Sequence, residues 1–258
     1  MKRVPSRAAP HRPPDRWLSL LDESARRIRP DDAQLESWFA AYVHNHRHRL
    51  AMDLQLLAEH VEPGAQVLEY GAVPLLLTTA LADNGYDVTG LDLAPERFAS
   101  SIAEVGLEVT RCDIETEPVP FSDSSFDLVL FNELFEHLRI DPIFTLGEML
   151  RVLRPGGTLL LSTPNLRSLR GLKNLLLHNQ AHAVSGGVFE QWQKLGTLGH
   201  MGHVREYTVR EVCDFLGHLG LRVERIVYRG GHGRGVVGLV ERLAPSLRPF
   251  FTVEATRP

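Results

Sequence analysis

Proline and basic residues dominate the first sixteen positions, MKRVPSRAAPHRPPDR. Such a stretch has too little apolar surface to fold on its own, so residues 1–16 are expected to be a disordered basic tail. From 17 to 62 the pattern is helical. Leu35, Phe39, Tyr42, Val43 and His46 recur on one face, and Leu50, Leu54 and Leu57 continue as a second stripe. His44, His46 and His48 alternate in this stretch, and a helix would point them to different sides.

From Pro63 to the end the texture changes. Short apolar runs at Gln66–Tyr70, Asp87–Asp92, 107–111, 126–131 and 158–163 read as strands. Helical patterns at 75–82, 95–104 and 144–153 separate most of them, and Asp83-Asn84-Gly85 and Arg154-Pro155-Gly156-Gly157 act as stops. This alternation predicts an α/β fold with a doubly wound, mostly parallel sheet. Residues 164–206 break the rhythm and read as an insertion over the sheet's carboxyl edge, after the fifth strand. A capping box at 208–211 then opens a helix. A strand at 221–228, a glycine-rich loop at 230–238 and a last strand at Phe250–Thr256 complete the pattern.

Composition narrows the function. The chain has 258 residues, 43% of them hydrophobic, and a formal net charge of −4. That size fits one domain with additions, and that charge argues against a nucleic-acid partner bound by bulk electrostatics. Cys112 and Cys213 match no metal or redox spacing, which fits a reducing, cytoplasmic setting. No apolar run reaches the length of a membrane span, and the N-terminus lacks the apolar core of a secretory signal.

The candidate chemistry lies where strands end. Doubly wound sheets bind ligands beyond the carboxyl ends of their strands. Here the first such turn reads Glu69-Tyr70-Gly71-Ala72-Val73-Pro74-Leu75, and acids Asp92 and Asp113 end the next two strands. A carboxylate at Asp92 can accept both hydroxyls of a ribose. Asp113, next to apolar Ile114, can receive an adenine amino group.

Together with PFSDSSFDLVLFNELFEHL and LRPGGTLLLSTPN, these three acids resemble the class I S-adenosylmethionine-dependent methyltransferases. The likeness is to the small-molecule type, similar to ubiquinone-pathway O-methyltransferases, and covers residues 64–165 and, more loosely, 203–228. The resemblance implies a seven-stranded sheet with the last strand antiparallel and S-adenosyl-L-methionine in the first-turn crevice. It implies cofactor-binding roles for Glu69, Gly71, Asp92, Leu93, Asp113, Ile114 and Asn132, with Gly71 facing the methionine part, Asp92 the ribose, Asp113 the adenine and Asn132 near the methionine moiety. The glycine loop departs from the family pattern, with Val73 and Leu75 at two positions where relatives carry glycine. Valine at positive φ is a genuine outlier, and Pro74 pushes Val73 toward extended geometry.

Asn132-Glu133-Leu134-Phe135-Glu136-His137 follows the fourth strand. On one helical turn Glu133, Glu136 and His137 share a face, and two carboxylates with an imidazole can hold a divalent cation. The segment resembles the Glu-x-x-Glu-His of ubiquinone-pathway and small-RNA 2′-O-methyltransferases, where a metal grips substrate hydroxyls. His200 or His203 would then add a fourth ligand. In the metal-free reading, Glu136 fixes the segment and His137 lines the pocket. His137, with His203 second, is the expected base when the acceptor must lose a proton. Asn165 is a candidate polar contact to the substrate. The resulting expectation is methyl transfer to a small-molecule acceptor, lipid and glycan included. The alternative is a non-catalytic protein of the same fold that binds a partner protein.

Overall fold

The computed structural model describes residues 4–198, 202–231 and 235–258. Its strands are β1 (Ser6–Ala8), β2 (Gln66–Tyr70), β3 (Asp87–Asp92), β4 (Glu108–Arg111), β5 (Phe126–Asn132), β6 (Leu153–Pro164), β7 (Arg222–Arg229) and β8 (Phe250–Thr256). The helices are α1 (Asp15–Arg27), α2 (Glu36–Leu57), α3 (Leu76–Asp83), α4 (Ala99–Val105), α5 (Pro142–Val152), α6 (Leu169–His178), α7 (Val188–Leu198), α8 (Val209–His218) and α9 (Gly235–Leu243). The strands form one sheet in the order β1-β7-β8-β6-β5-β2-β3-β4. The pairs β2–β3 and β3–β4 are parallel, and β8 runs antiparallel to β7. This is a Rossmann-like, mostly parallel arrangement with an eighth strand at one edge.

That eighth strand corrects the expectation of a disordered tail. Ser6–Ala8 pairs in parallel with Ile226–Tyr228 of β7. The buried guanidinium of Arg248 donates to the carbonyl of Ala9. Apolar burial in this segment is limited to Ala9 and Pro13. Backbone hydrogen bonding to an open sheet edge orders the strand, and that needs no hydrophobic pattern.

The chain divides into two compact units, with the divisions falling at the middle of β5 and of β6. One unit holds Arg12–Leu130 and Arg151–Thr158. Its core is the apolar interior of β2 and β5 under α3, where Val67, Leu68, Leu128, Leu130, Ala80 and Leu81 are all fully buried. The two predicted stripes at the N-terminus form one continuous helix, α2. Trp17 Nε1 of α1 donates to Gln55 of α2 at 2.9 Å, and Ser24 Oγ donates to Asp83 at the end of α3. The other unit takes in the segment up to His11, Phe131–Leu150 and the chain from Leu159 onward. There Phe135 stacks between Tyr207 and Phe215, with ring centroids 4.4 and 5.5 Å away. The insertion after β6 folds as α6 and α7, and the expected glycine loop passes into α9 at Gly235.

Candidate active site

In the first unit the turn after β2 carries the site. Gly71 has φ +73° and Leu75 φ +70°, while Val73 is not among the residues with positive φ. The turn therefore meets its conformational demand at the first and third of the family's glycine positions and spares the β-branched residue. The peptide bond before Pro74 is cis. Leu75 is completely buried, so its side chain packs inward while its backbone takes a left-handed path. The neighbouring strand makes room for the turn: a Cβ on Gly90 would lie 2.7 Å from that of Ala72.

Asp92 is locked in place at the end of β3. One carboxylate oxygen accepts the Val73 N–H and the other the Ala94 N–H, each at 2.9 Å. A carboxylate has about four acceptor sites in all, and these two bonds fix its direction. Asp113 accepts the Glu115 N–H at 3.1 Å, and its own N–H donates to Glu117. Leu93 is exposed and Ile114 half-buried. Glu69 points elsewhere. Its buried carboxyl accepts from Thr78 Oγ1 of α3 at 2.7 Å. Burial pushes it up to about 8, against the hydrogen bond from Thr78, with the charge of Asp53 adding to the rise.

The second unit holds a polar cluster that sequence spacing only partly anticipates. Glu133 takes φ +52° and the 3-10 turn covers only Phe135–His137, so the expected helical face of Glu133, Glu136 and His137 does not form. Glu133 accepts from Ser162 Oγ at 2.8 Å and pairs with Arg229 at 3.4 Å. His203 stands in its place: Glu136, His137 and His203 each offer a ligand atom, all within 4.8 Å of one another. The two imidazoles meet edge to face, with centroids 4.8 Å apart. Glu136 is buried, accepts from Thr163 Oγ1 at 2.8 Å, and its carbonyl accepts the N–H of Val204 at 2.8 Å. Those backbone bonds bring the 203–207 segment against the turn.

Both histidines are oriented from behind. His137 Nδ1 lies 2.9 Å from the Gly202 carbonyl, and His203 Nδ1 lies 3.3 Å from Glu206 Oε1. Each acceptor assigns the proton to Nδ1 and leaves the Nε2 lone pair as the reactive one when the ring is neutral. Glu206 is itself held by the backbone N–H groups of Ala183, Val184 and Ser185. Burial alone would raise its carboxyl, but the hydrogen bonds from His203, Ser185 and Ala183 outweigh this and hold it at about 2. Asn132, at the end of β5, has both amide atoms buried with no hydrogen-bond partner among the described residues.

Asn165 is not a substrate contact. It is fully buried, and its amide donates to the carbonyls of Ser246 and Arg248. His200 lies outside the described residues. Sequence reasoning passes over Arg49 and Asp53 of α2, whose charges act on Glu69. It also passed over Glu206 and over Gln191, which accepts the His203 N–H at 3.1 Å. The His-x-Arg-Glu-Tyr order at 203–207 was the available signal for Glu206. None marked the α2 residues, because polar positions on a helix read as a solvated face.

Within its own unit Asp92, directed by two backbone bonds, suits the ribose of an adenosyl cofactor. Within the other unit Asn132 offers an orphaned donor and acceptor of the kind an amino-acid tail would satisfy.

Comparison with known proteins agrees. Residues 68–161 match the family described as a methyltransferase domain. The chain is 38% identical over 108 residues to the ubiquinone biosynthesis O-methyltransferase of Xanthomonas campestris pv. campestris, covering 40% of this chain and 44% of that protein. It thus spans less than half the length of that relative. An S-adenosylmethionine-dependent methyltransferase of Thermotoga maritima superposes with TM-score 0.55 at 16% identity, covering 87% of this chain and 97% of its own. A chain from the complex of the Haloferax volcanii Trm112 methyltransferase activator does so with TM-score 0.56 at 20% identity, over 92% and 97%. Residues 68–161 therefore resemble a methyltransferase domain, and the chain has the Rossmann-like fold seen in S-adenosylmethionine-dependent methyltransferases.

Proposed function

We propose that this chain binds S-adenosylmethionine and transfers its methyl group to a small-molecule acceptor. The observation that carries the reading is the turn after β2. Gly71 and Leu75 keep left-handed backbone geometry, and the Val73 N–H clamps Asp92 at the end of β3. When bound, the cofactor supplies a methyl group on a good leaving group, so the protein's task is alignment. Asp92 accepts ribose hydroxyls, with Leu93 beside it, and Gly71 lets the backbone approach the methionine end. Glu69 supports the turn from the interior. Asp113 and Ile114 receive the adenine. Asn132 pairs with the amino-acid tail. His137 serves the acceptor and takes its proton on Nε2 when the acceptor must lose one, with His203 as its neighbour.

Titration calorimetry with S-adenosylhomocysteine tests this. Wild-type protein binds, and Asp92→Asn weakens binding about tenfold or more, because a charge-assisted acceptor is lost. No heat and no thermal shift at millimolar ligand would leave a non-catalytic protein of this fold, acting on a partner protein.

One observation favours a second reading for the histidine cluster. Glu136, His137 and His203 converge, and each imidazole has its Nδ1 held by an acceptor, the second-shell pattern of metal-binding histidines. One carboxylate and two imidazoles suit a divalent transition metal, which would lower the pKa of an acceptor hydroxyl. If this reading holds, zinc added to chelator-treated protein raises the thermal midpoint of the wild type and not of His203→Ala. Equal midpoints in both leave the histidines to proton transfer alone.

A further inference from the structure

The segment 202–206 supplies the Nδ1 partner of both histidines, and the insertion after β6 grips that segment from two sides. The turn between α6 and α7 aims three successive N–H groups, those of Ala183, Val184 and Ser185, at the carboxylate of Glu206. Successive backbone donors of this kind form a nest for an anion. Ala183 is fully buried, and the Asn174 side chain of α6 ties the turn down by donating to the His182 carbonyl at 2.9 Å. From α7, Gln191 accepts the His203 N–H at 3.1 Å. Gly202 lies so close to the same helix that a Cβ there would stand 2.2 Å from the Gln191 carbonyl oxygen.

The two histidines are held by different devices. Glu206 is 4% exposed, and the turn occupies both of its oxygens: Oε1 accepts from Val184 and Ser185, and Oε2 from Ala183 and Val184. Oε1 also faces His203 Nδ1 at 3.3 Å. An ionised carboxylate only accepts, so the ring must present its N–H there and keep its lone pair on Nε2. His137 meets the uncharged carbonyl of Gly202 instead, at 2.9 Å. A change at Glu206 therefore bears on His203 and leaves the Nδ1 partner of His137 in place.

We infer that Glu206 is the positioning residue of His203 and that the 183–185 turn sets Glu206, an inference that rests on the acceptor-site role proposed for the two histidines. The insertion is then a working part of the histidine site as well as a cover over it. Glu206 acts only through His203. Freed from the turn, its carboxylate would leave Nδ1, and the ring proton could move to Nε2. That move takes the lone pair away from the nitrogen on which an acceptor would rely. The element that stands over the acceptor region thus also fixes which nitrogen of His203 is basic.

Nitrogen-15 spectra of the imidazole rings read the tautomer directly and do not depend on methyl transfer. They are recorded on the full, chelator-treated chain at mildly alkaline pH, with signals assigned by their loss in His203→Gln and in His137→Gln. In wild type both rings are expected to carry the proton on Nδ1. In Glu206→Gln the tautomer ratio of His203 should move about tenfold or more toward Nε2 protonation, because a charged acceptor is lost and an amide N–H can face Nδ1. Ser185→Pro, which removes the N–H held by Oε1, should move His203 in the same direction. His137 should keep its tautomer in both variants, whereas a collapse of the 202–206 segment would alter both rings together and make Glu206 a packing residue. Should Glu206→Gln not fold, the wild-type spectrum still decides, since Nε2 protonation of His203 there would overturn the inference. An unchanged His203 in folded Glu206→Gln would do the same, and an unchanged His203 in Ser185→Pro would strike the part given to the turn. Calorimetry with S-adenosylhomocysteine on the same samples separates the two readings. No binding by wild type, with His203 still protonated on Nδ1, would remove the proposed function and leave the positioning by Glu206 standing.

Discussion

Leu75 and Glu69 show how single residues depart from what their identities suggest. A leucine at positive φ costs on the order of 1–3 kcal/mol, yet complete burial of its side chain returns about the same. The glycine-like path thus survives without glycine. The two acids Asp92 and Glu69 both end strands, yet they have opposite roles. Asp92 accepts two backbone N–H groups, whereas Glu69 faces Thr78 in the interior. Because the folded state raises Glu69 to about 8 from 4.5, folded protein keeps a proton that the unfolded chain gives up. Stability from this group is full below the unfolded value, declines as pH rises through that window, and is flat above it. Glu69→Gln keeps an acceptor for Thr78 without the ionisation. Urea midpoints at acid and alkaline pH should therefore drop less in the variant than in wild type. An equal drop would mean that Glu69 ionises normally.

At the scale of elements, period and capping rules located most helices and strands. The capping box at Thr208 and Glu211 is present as read, with the Thr208 N–H donating to Glu211 at 2.8 Å. The failure at Glu133 is equally instructive. Spacing alone places Glu133, Glu136 and His137 on one face only if the residues are α-helical, and a positive φ at Glu133 ends that condition. The site is then completed by a segment some sixty residues away, through backbone bonds from Val204 and Arg205 to the Glu136 carbonyl. His137 consequently sits between its own turn and the 202–206 segment. His137→Gln should lower turnover about a hundredfold, as removal of a general base does. It should leave S-adenosylhomocysteine affinity nearly unchanged. A matching loss of affinity by calorimetry would make His137 a cofactor-site residue.

At the scale of the whole molecule, the eighth strand rests on Arg248. Its guanidinium is buried, donates to the carbonyls of Ala9 and Tyr228, and lies 3.3 Å from His11 Nε2. Arg248→Ala strands buried acceptors and should cost about 2–4 kcal/mol, measured as a lower urea midpoint. An unchanged midpoint would mean that β1 is held by its ladder to β7 alone. The strand–helix alternation from β2 to β6, the acids near the ends of β2 and β3, the insertion and a last strand at Phe250–Thr256 are all in the linear order of residues, whereas the antiparallel direction of that strand comes only from the family resemblance. Hydrophobic period and turn chemistry are local, and a local pattern can be read without knowing what it packs against. Tertiary structure alone decided the sign of φ at Leu75, the inward turn of Glu69, the replacement of Glu133 by His203, the support of Glu206, and the recruitment of Ser6–Ala8 to the sheet. Each of these depends on a backbone group or a buried neighbour contributed by a distant part of the chain, and such pairings leave no period in the sequence.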